Sequence, residues 1–155
     1  AFGSTQALAL PVYAVDTFLG SADLGPSGDA TELAGMCAAA GIGDCTTLTQ
    51  DLKVNGPTAT LDGAGNWVVD VAPTTPGYFL LKFGVGGLGG LDDTYFFQNI
   101  ADFTKLVFTN AQVNFITGDC GLKGDKCNIG RLSHYTTYNG SEVPVPAALP
   151  LLLTL

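Results

Sequence analysis

Residues 77–84 read GYFLLKFG, a nearly continuous apolar run closed by a glycine at each end. Six to eight residues of this kind are too short for a buried helix and carry no helical period, so they predict a strand covered on both faces. Such a strand belongs in the middle of a sheet. On the amino-terminal side, 66–71 (NWVVDV) and 59–61 (ATL) predict two further strands, joined by a turn built on Asp62-Gly63 and Gly65-Asn66. Trp67, Val69 and Val71 then share one face. On the carboxyl side, 94–98, 106–109, 112–117 and 128–138 carry the same signature. Between them, 84–90 (GVGGLGG) lacks the GK[ST] ending of a phosphate loop and reads as a turn.

Upstream, 46–54 predicts another strand, and 7–18 (ALALPVYAVDTF) a first strand whose Pro11 suits an edge or a bulge. One helix is expected, near 30–40. Asp29 is positioned to cap it, Glu32 follows three residues later as in a capping box, and Gly41 ends it. Leu33, Cys37 and Ala40 fall on one side of that helix, which turns the Cys37 thiol inward. The fold class that follows is mainly β: an antiparallel, jelly-roll-like β-sandwich of about eight strands with one short helix. Residues 1–142 form a single sandwich domain and 143–155 an apolar tail.

Composition agrees with many short strands and tight turns: 155 residues, 21 Gly, 8 Pro and only 13% charged side chains, where about 25% is usual. A formal net charge of −8 leaves nothing to neutralise a run of phosphates, so nucleic acid is excluded as a partner. An anionic lipid surface repels the protein for the same reason. The four cysteines, Cys37, Cys45, Cys120 and Cys127, permit three pairings, of which two small local loops are favoured. Their spacings do not fit the short knuckle of structural zinc sites. Disulfides imply an oxidising compartment outside the cytoplasm. The chain starts at Ala1 with neither a basic nor an apolar leader, as expected of the remainder after a secretory signal is removed. The uncharged stretch 145–155 (VPAALPLLLTL) is too short for a bilayer and is broken by Pro150. Its own core, a neighbouring subunit or a detergent-like partner must cover it.

Candidate chemistry is sparse. His134 is the single histidine. Ser133 cannot be its triad partner, since successive strand residues point to opposite faces, and the nearest carboxylates in sequence, Asp119, Asp125 and Glu142, lie in turns or tails. A structural histidine, its ring bonded to backbone, is the expectation, and no catalytic residue is assigned. Asp92-Asp93 and Asp62 with Asn66 are the best calcium candidates, though neither has the spacing of a helix-loop-helix calcium loop. Solvated turn carboxylates are the simpler reading, and no cofactor is expected. Asn139-Gly140-Ser141 is a glycosylation sequon, informative only in a secreted eukaryotic protein. Trp67, Tyr78, Tyr95 and Tyr135 could stack on sugars, with Trp67 the foremost candidate, or fill a sandwich core.

GDATEL at 28–33, YFLLKFG at 78–84, DTYFFQNI at 93–100, KLVFT at 105–109, and IGRLSHYTTY at 129–138 followed by VPVPAALPLLL resemble exported bacterial proteins of the PEP-CTERM sorting class. The most specific element is the LSHYTTY strand followed a few residues later by Val143-Pro144-Val145-Pro146-Ala147. Val145 stands where the commonest motif has Glu, as in the VPxPA variant. The resemblance implies export in a Gram-negative bacterium, sorting by an exosortase-type membrane protease acting through residues 143–147, and residence at the cell surface or in an exopolysaccharide-rich matrix. It brings no catalytic residues. The function expected is a non-enzymatic surface or matrix protein that self-assembles as a homo-oligomer or homopolymer. Leu149, Leu151, Leu152, Leu153 and Leu155 are the assembly contacts, received by an edge strand of another copy. A carbohydrate-binding module for exopolysaccharide is the alternative.

Overall fold

Alternation within the central strand decides how the layers stack. In a computed structural model of the chain, which describes residues 8–84, 92–113 and 128–142, the elements run β1 (Thr17–Ala22), α1 (Asp29–Ala39), β2 (Gln50–Asn55), β3 (Thr60–Leu61), β4 (Trp67–Asp70), β5 (Thr74–Thr75), β6 (Tyr78–Phe83), β7 (Thr94–Gln98), β8 (Lys105–Phe108), β9 (Leu132–Tyr138) and β10 (Ser141–Glu142). All strand pairs are antiparallel. A five-stranded sheet has the order β1-β7-β6-β9-β2, a three-stranded sheet β3-β4-β8, and β5 pairs with β10.

Central β6 sends Phe79, Leu81 and Phe83 into the space between the two larger sheets, where they meet Val69, Tyr95, Phe97, Leu106, Phe108 and Tyr135. Phe79 and Phe97 stack with ring centroids 4.9 Å apart. Its alternate residue Leu80 joins Met36, Cys37, Leu48, Phe96 and Tyr138 under α1, on the sheet's other face. Both faces of β6 are therefore covered, one by the second sheet and one by the helix, and each fully buried Phe or Leu contributes roughly 1.5–3 kcal/mol. Gly35 lets the helix close on the sheet: a Cβ there lies 2.8 Å from the Phe96 ring.

The expected β-sandwich with one helix is observed, and five local readings are corrected. Residues 8–16 form no strand. Their backbone bonds are scattered, Gly63 N–H to Pro11 O and Asp16 N–H to Val107 O, with Tyr13 and Ala14 N–H taken by the carboxylates of Asp62 and Asp102, and Leu8, Leu10 and Val12 stay exposed. The expected strand 46–54 is preceded by a 3-10 turn at Cys45–Thr47, because Asp44 accepts the amide and hydroxyl of Thr46. Gln112 and Val113 belong to a turn, in which the Gln112 side chain accepts from the Thr109 amide. Residues 128–131 are likewise a 3-10 turn leading into β9. At the helix start the N-cap is Gly28, with Asp29 the first helical residue. There its carboxylate favours the positive end of the helix and takes the Lys53 ammonium at 2.9 Å. The glycine run 85–91, residues 114–117, Asp119, Cys120, Asp125, Cys127 and the tail 143–155 lie outside the described residues.

Candidate functional site

The face of the five-stranded sheet beneath α1 divides into two halves. Where β6, β7 and β9 point Leu80, Phe96 and Tyr138 at the helix, the contact is apolar. One alternation further along each strand, the same face carries Lys82, Thr94, Thr136 and His134, all buried. Facing this polar half are Glu32 of α1 and Asp93 at the entry to β7. Burial of so many polar groups demands partners, and a histidine–carboxylate contact and a lysine–aspartate ion pair provide them.

In the first, Glu32, fully buried, receives His134: Nε2 lies 2.9 Å from Oε1 and 3.3 Å from Oε2. The Thr136 hydroxyl donates to Oε2 at 3.4 Å. In the second, Lys82 Nζ lies 3.2 Å from Asp93 Oδ1 and also donates to Gly25 O at 2.5 Å, Thr94 Oγ1 at 3.2 Å and Ser27 Oγ at 3.3 Å. Asp93 in turn accepts the amides of Leu24 at 3.0 Å and Gly25 at 2.9 Å and the Thr94 hydroxyl at 2.8 Å. A cleft of about 310 Å³ lined by Ser27, Lys82, Asp93 and His134 opens onto this cluster.

Sequence reasoning placed the residues of this cluster in unrelated roles. Instead of the expected bond to backbone, the His134 ring is bonded to a carboxylate 102 positions away. Glu32 has turned from the helix start into the core instead of closing a capping box, and no side-chain cap is made there. Ser133 is exposed while His134 is buried, as strand alternation requires.

The calcium candidates are surrounded by donors, the opposite of what a hard cation needs. Asp93 is taken up as above, and Asp62 accepts N–H from Tyr13, Ala64 and Asn66, the last through both backbone and side chain. Burial pushes the Asp62 carboxyl up, but these donors together outweigh it and hold the group below the usual carboxylate range. Among the described residues no three His, Cys, Asp or Glu side chains are grouped to hold a metal ion. Asp92 instead accepts the Ser21 hydroxyl at 2.6 Å. Trp67 is half-buried, packs against the sandwich core and donates its indole N–H to Asn110 Oδ1 at 2.8 Å. Cys37 and Cys45 form the expected local disulfide, which suits an oxidising environment.

A carboxylate overlooked in the sequence ties the sheets together. Asp16, ahead of β1, accepts the amides of Ile100 and Val107, so one side chain joins the start of β1 to β8. Burial pushes its pKa up to about 6, against the lowering effect of those two amides and with some help from the charge of Asp102.

Both edge strands of the five-stranded sheet carry a register shift, β1 between Phe18 and Gly20 and β2 between Gln50 and Leu52; that of β2 falls at the start of the strand and leaves Leu52–Asn55 in regular register with β9. Edge strand β2 pairs only with β9 among the described residues. Its Val54 packs against the sandwich core, while Leu52, two residues earlier on the same face, is 43% exposed. Beside Leu52, a cleft of about 420 Å³ is bounded by Gln50, Asp51, Thr74, Gly140 and Ser141. β10 lies at this cleft, and residue 143, the first of the apolar tail, follows it directly.

No described helix is long and apolar enough to cross a membrane. The chain matches no protein-family model, no curated protein and no solved structure.

Proposed function

We propose that the protein is an exported, non-enzymatic structural component of a bacterial cell surface or extracellular matrix, and that copies associate by laying the apolar tail of one along edge strand β2 of the next. The carrying observation is the juxtaposition at β2: an edge that among the described residues is paired on one side, an exposed Leu52, and at the adjacent cleft β10, the element that precedes the tail in sequence. An added strand satisfies the outward backbone groups of β2 and covers Leu52. Burial of Leu149, Leu151, Leu152, Leu153 and Leu155 at roughly 1–2 kcal/mol each offsets the loss of translational and rotational freedom. A tail given by each copy and received by another is a head-to-tail contact, which extends into a filament when its rotation does not close. In the same reading residues 143–147 form a PEP-CTERM-type sorting signal for an exosortase-type protease, and the compartment is the outside of a Gram-negative cell. The carbohydrate-binding alternative has less support, since Trp67 is half-buried and its indole N–H is engaged by Asn110.

Deleting residues 147–155 is expected to abolish polymers in negative-stain micrographs while circular dichroism stays that of a folded β protein. Leu52→Lys in the full chain is expected to weaken assembly in the same direction. Filaments that persist after the truncation overturn the proposal.

A further inference from the structure

Lys82 and Asp93 are held in contact, away from solvent, with every atom of a condensation reaction already in place. We propose that they join through an intramolecular isopeptide bond between Lys82 Nζ and Asp93 Cγ, fastening β6 to the segment that enters β7. The inference is independent of self-association.

Proximity is the first argument. Nζ lies 3.2 Å from Asp93 Oδ1, the two residues are only 8% and 2% exposed, and Lys82 sits in register opposite Thr94 in the β6–β7 ladder. Groups fixed so closely react as if at very high local concentration. The second argument is the setting of the carboxyl group. Gly25 N–H donates to Oδ2 at 2.9 Å, where negative charge gathers when Nζ adds to Cγ, as the donors of an oxyanion hole do. Leu24 N–H holds Oδ1 at 3.0 Å. The third is a proton path: Thr94 Oγ1 accepts from Nζ at 3.2 Å and donates to Oδ1 at 2.8 Å, bridging the nucleophile and the departing oxygen.

The step balances without any co-reactant. The Nζ–Cγ bond forms and the Cγ–Oδ1 bond breaks. Of the three ammonium protons, one stays on the amide nitrogen and two leave with Oδ1 as water, by way of Thr94. Nothing is oxidised or reduced. The cleft beside Lys82 and Asp93 gives the water an exit. In the product, Gly25 N–H keeps its bond to Oδ2, and Gly25 O, 2.5 Å from Nζ, accepts the remaining amide proton. Two buried charges become one neutral amide, which removes the desolvation penalty that a buried ion pair carries, while Leu24 N–H and the Thr94 hydroxyl lose Oδ1 as their acceptor.

The test is the intact mass of the purified full chain under denaturing conditions, followed by trypsin digestion. The expected mass is lighter than the sequence by one water, beyond the two hydrogens lost per disulfide. Lys82 is expected to resist trypsin and to appear in a branched peptide joined to Asp93. Lys82→Arg is expected to restore the missing water, and Thr94→Val to slow bond formation by about 100-fold in a refolding time course. A folded, aged wild-type chain with its full mass and a trypsin-cleaved Lys82 overturns the proposal. So does a lost water that maps elsewhere, for example to a succinimide at Asp62-Gly63.

Discussion

Replacing His134 by leucine isolates the energetic role of the pair beneath the helix. Glu32 is fully buried, with His134 Nε2 at 2.9 Å; once the imidazole is gone, among the described residues the Thr136 hydroxyl at 3.4 Å is the side chain left bonded to it. Lys53 lies close enough to feel the Glu32 charge but is already bound to Asp29. Leucine is close to histidine in volume, so the loss is mainly that of an unpaired buried carboxylate, about 3–5 kcal/mol. Against a usual domain stability of about 5–15 kcal/mol this is a large fraction. With a urea dependence of about 1–3 kcal/mol per molar, the midpoint of unfolding is expected to fall by roughly 2 M. The double variant Glu32→Leu/His134→Leu removes both polar partners and is expected to recover most of the loss, since apolar replacement of a whole buried pair is often neutral. Urea titration followed by Trp67 fluorescence reads both. A single variant that costs less than about 1 kcal/mol, or a double variant no better than the single, refutes the reasoning.

Two further outcomes are expected. The Asp16 carboxyl carbon should titrate in an NMR experiment near 6 rather than near the ordinary 3.8. Because the folded value is the higher one, its contribution to stability is fully present below about 3.8 and is lost as pH rises through about 6, a change on the order of 2–3 kcal/mol; a midpoint at or below 4 contradicts this. Substituting both Cys37→Ala and Cys45→Ala, which opens a loop of sequence separation 8, should lower stability by about 2–3 kcal/mol in urea unfolding, and an unchanged midpoint contradicts it.

Local pattern carried the reading of the sequence wherever one segment determines its own structure. The run 77–84 announced a strand covered on both faces and is the middle strand of five. Residues 94–98 coincide with β7, and the Asp62–Asn66 turn joins β3 to β4 because Asp62 folds back on the amides of Ala64 and Asn66. Cys37 and Cys45 were within reach of one helical turn and a short loop. The charged cluster was not legible, for a physical reason. Its members come from α1, the loop after β1, β6, the entry to β7, and β9, and each has an adequate local explanation: Glu32 as a capping residue, Asp93 as a turn carboxylate, Lys82 as an interruption in an apolar strand. A lysine flanked by Leu81 and Phe83 was the one signal that could have been followed, since a cation in a doubly covered strand must find a buried anion. Pro11 and the alternation of Leu8, Leu10 and Val12 suggested a strand, but alternation specifies a face and not a partner, and among the described residues no ladder includes them.

Hydrogen exchange at β2 tests the central proposal most directly, because pairing with a tail must protect the amides of Gln50–Asn55 that point away from β9. Assemblies of the full chain are expected to exchange these amides far more slowly than the chain truncated before residue 147, with β1 unchanged between the two. Equal exchange at β2 in both, under conditions where the full chain is assembled, contradicts strand addition at that edge.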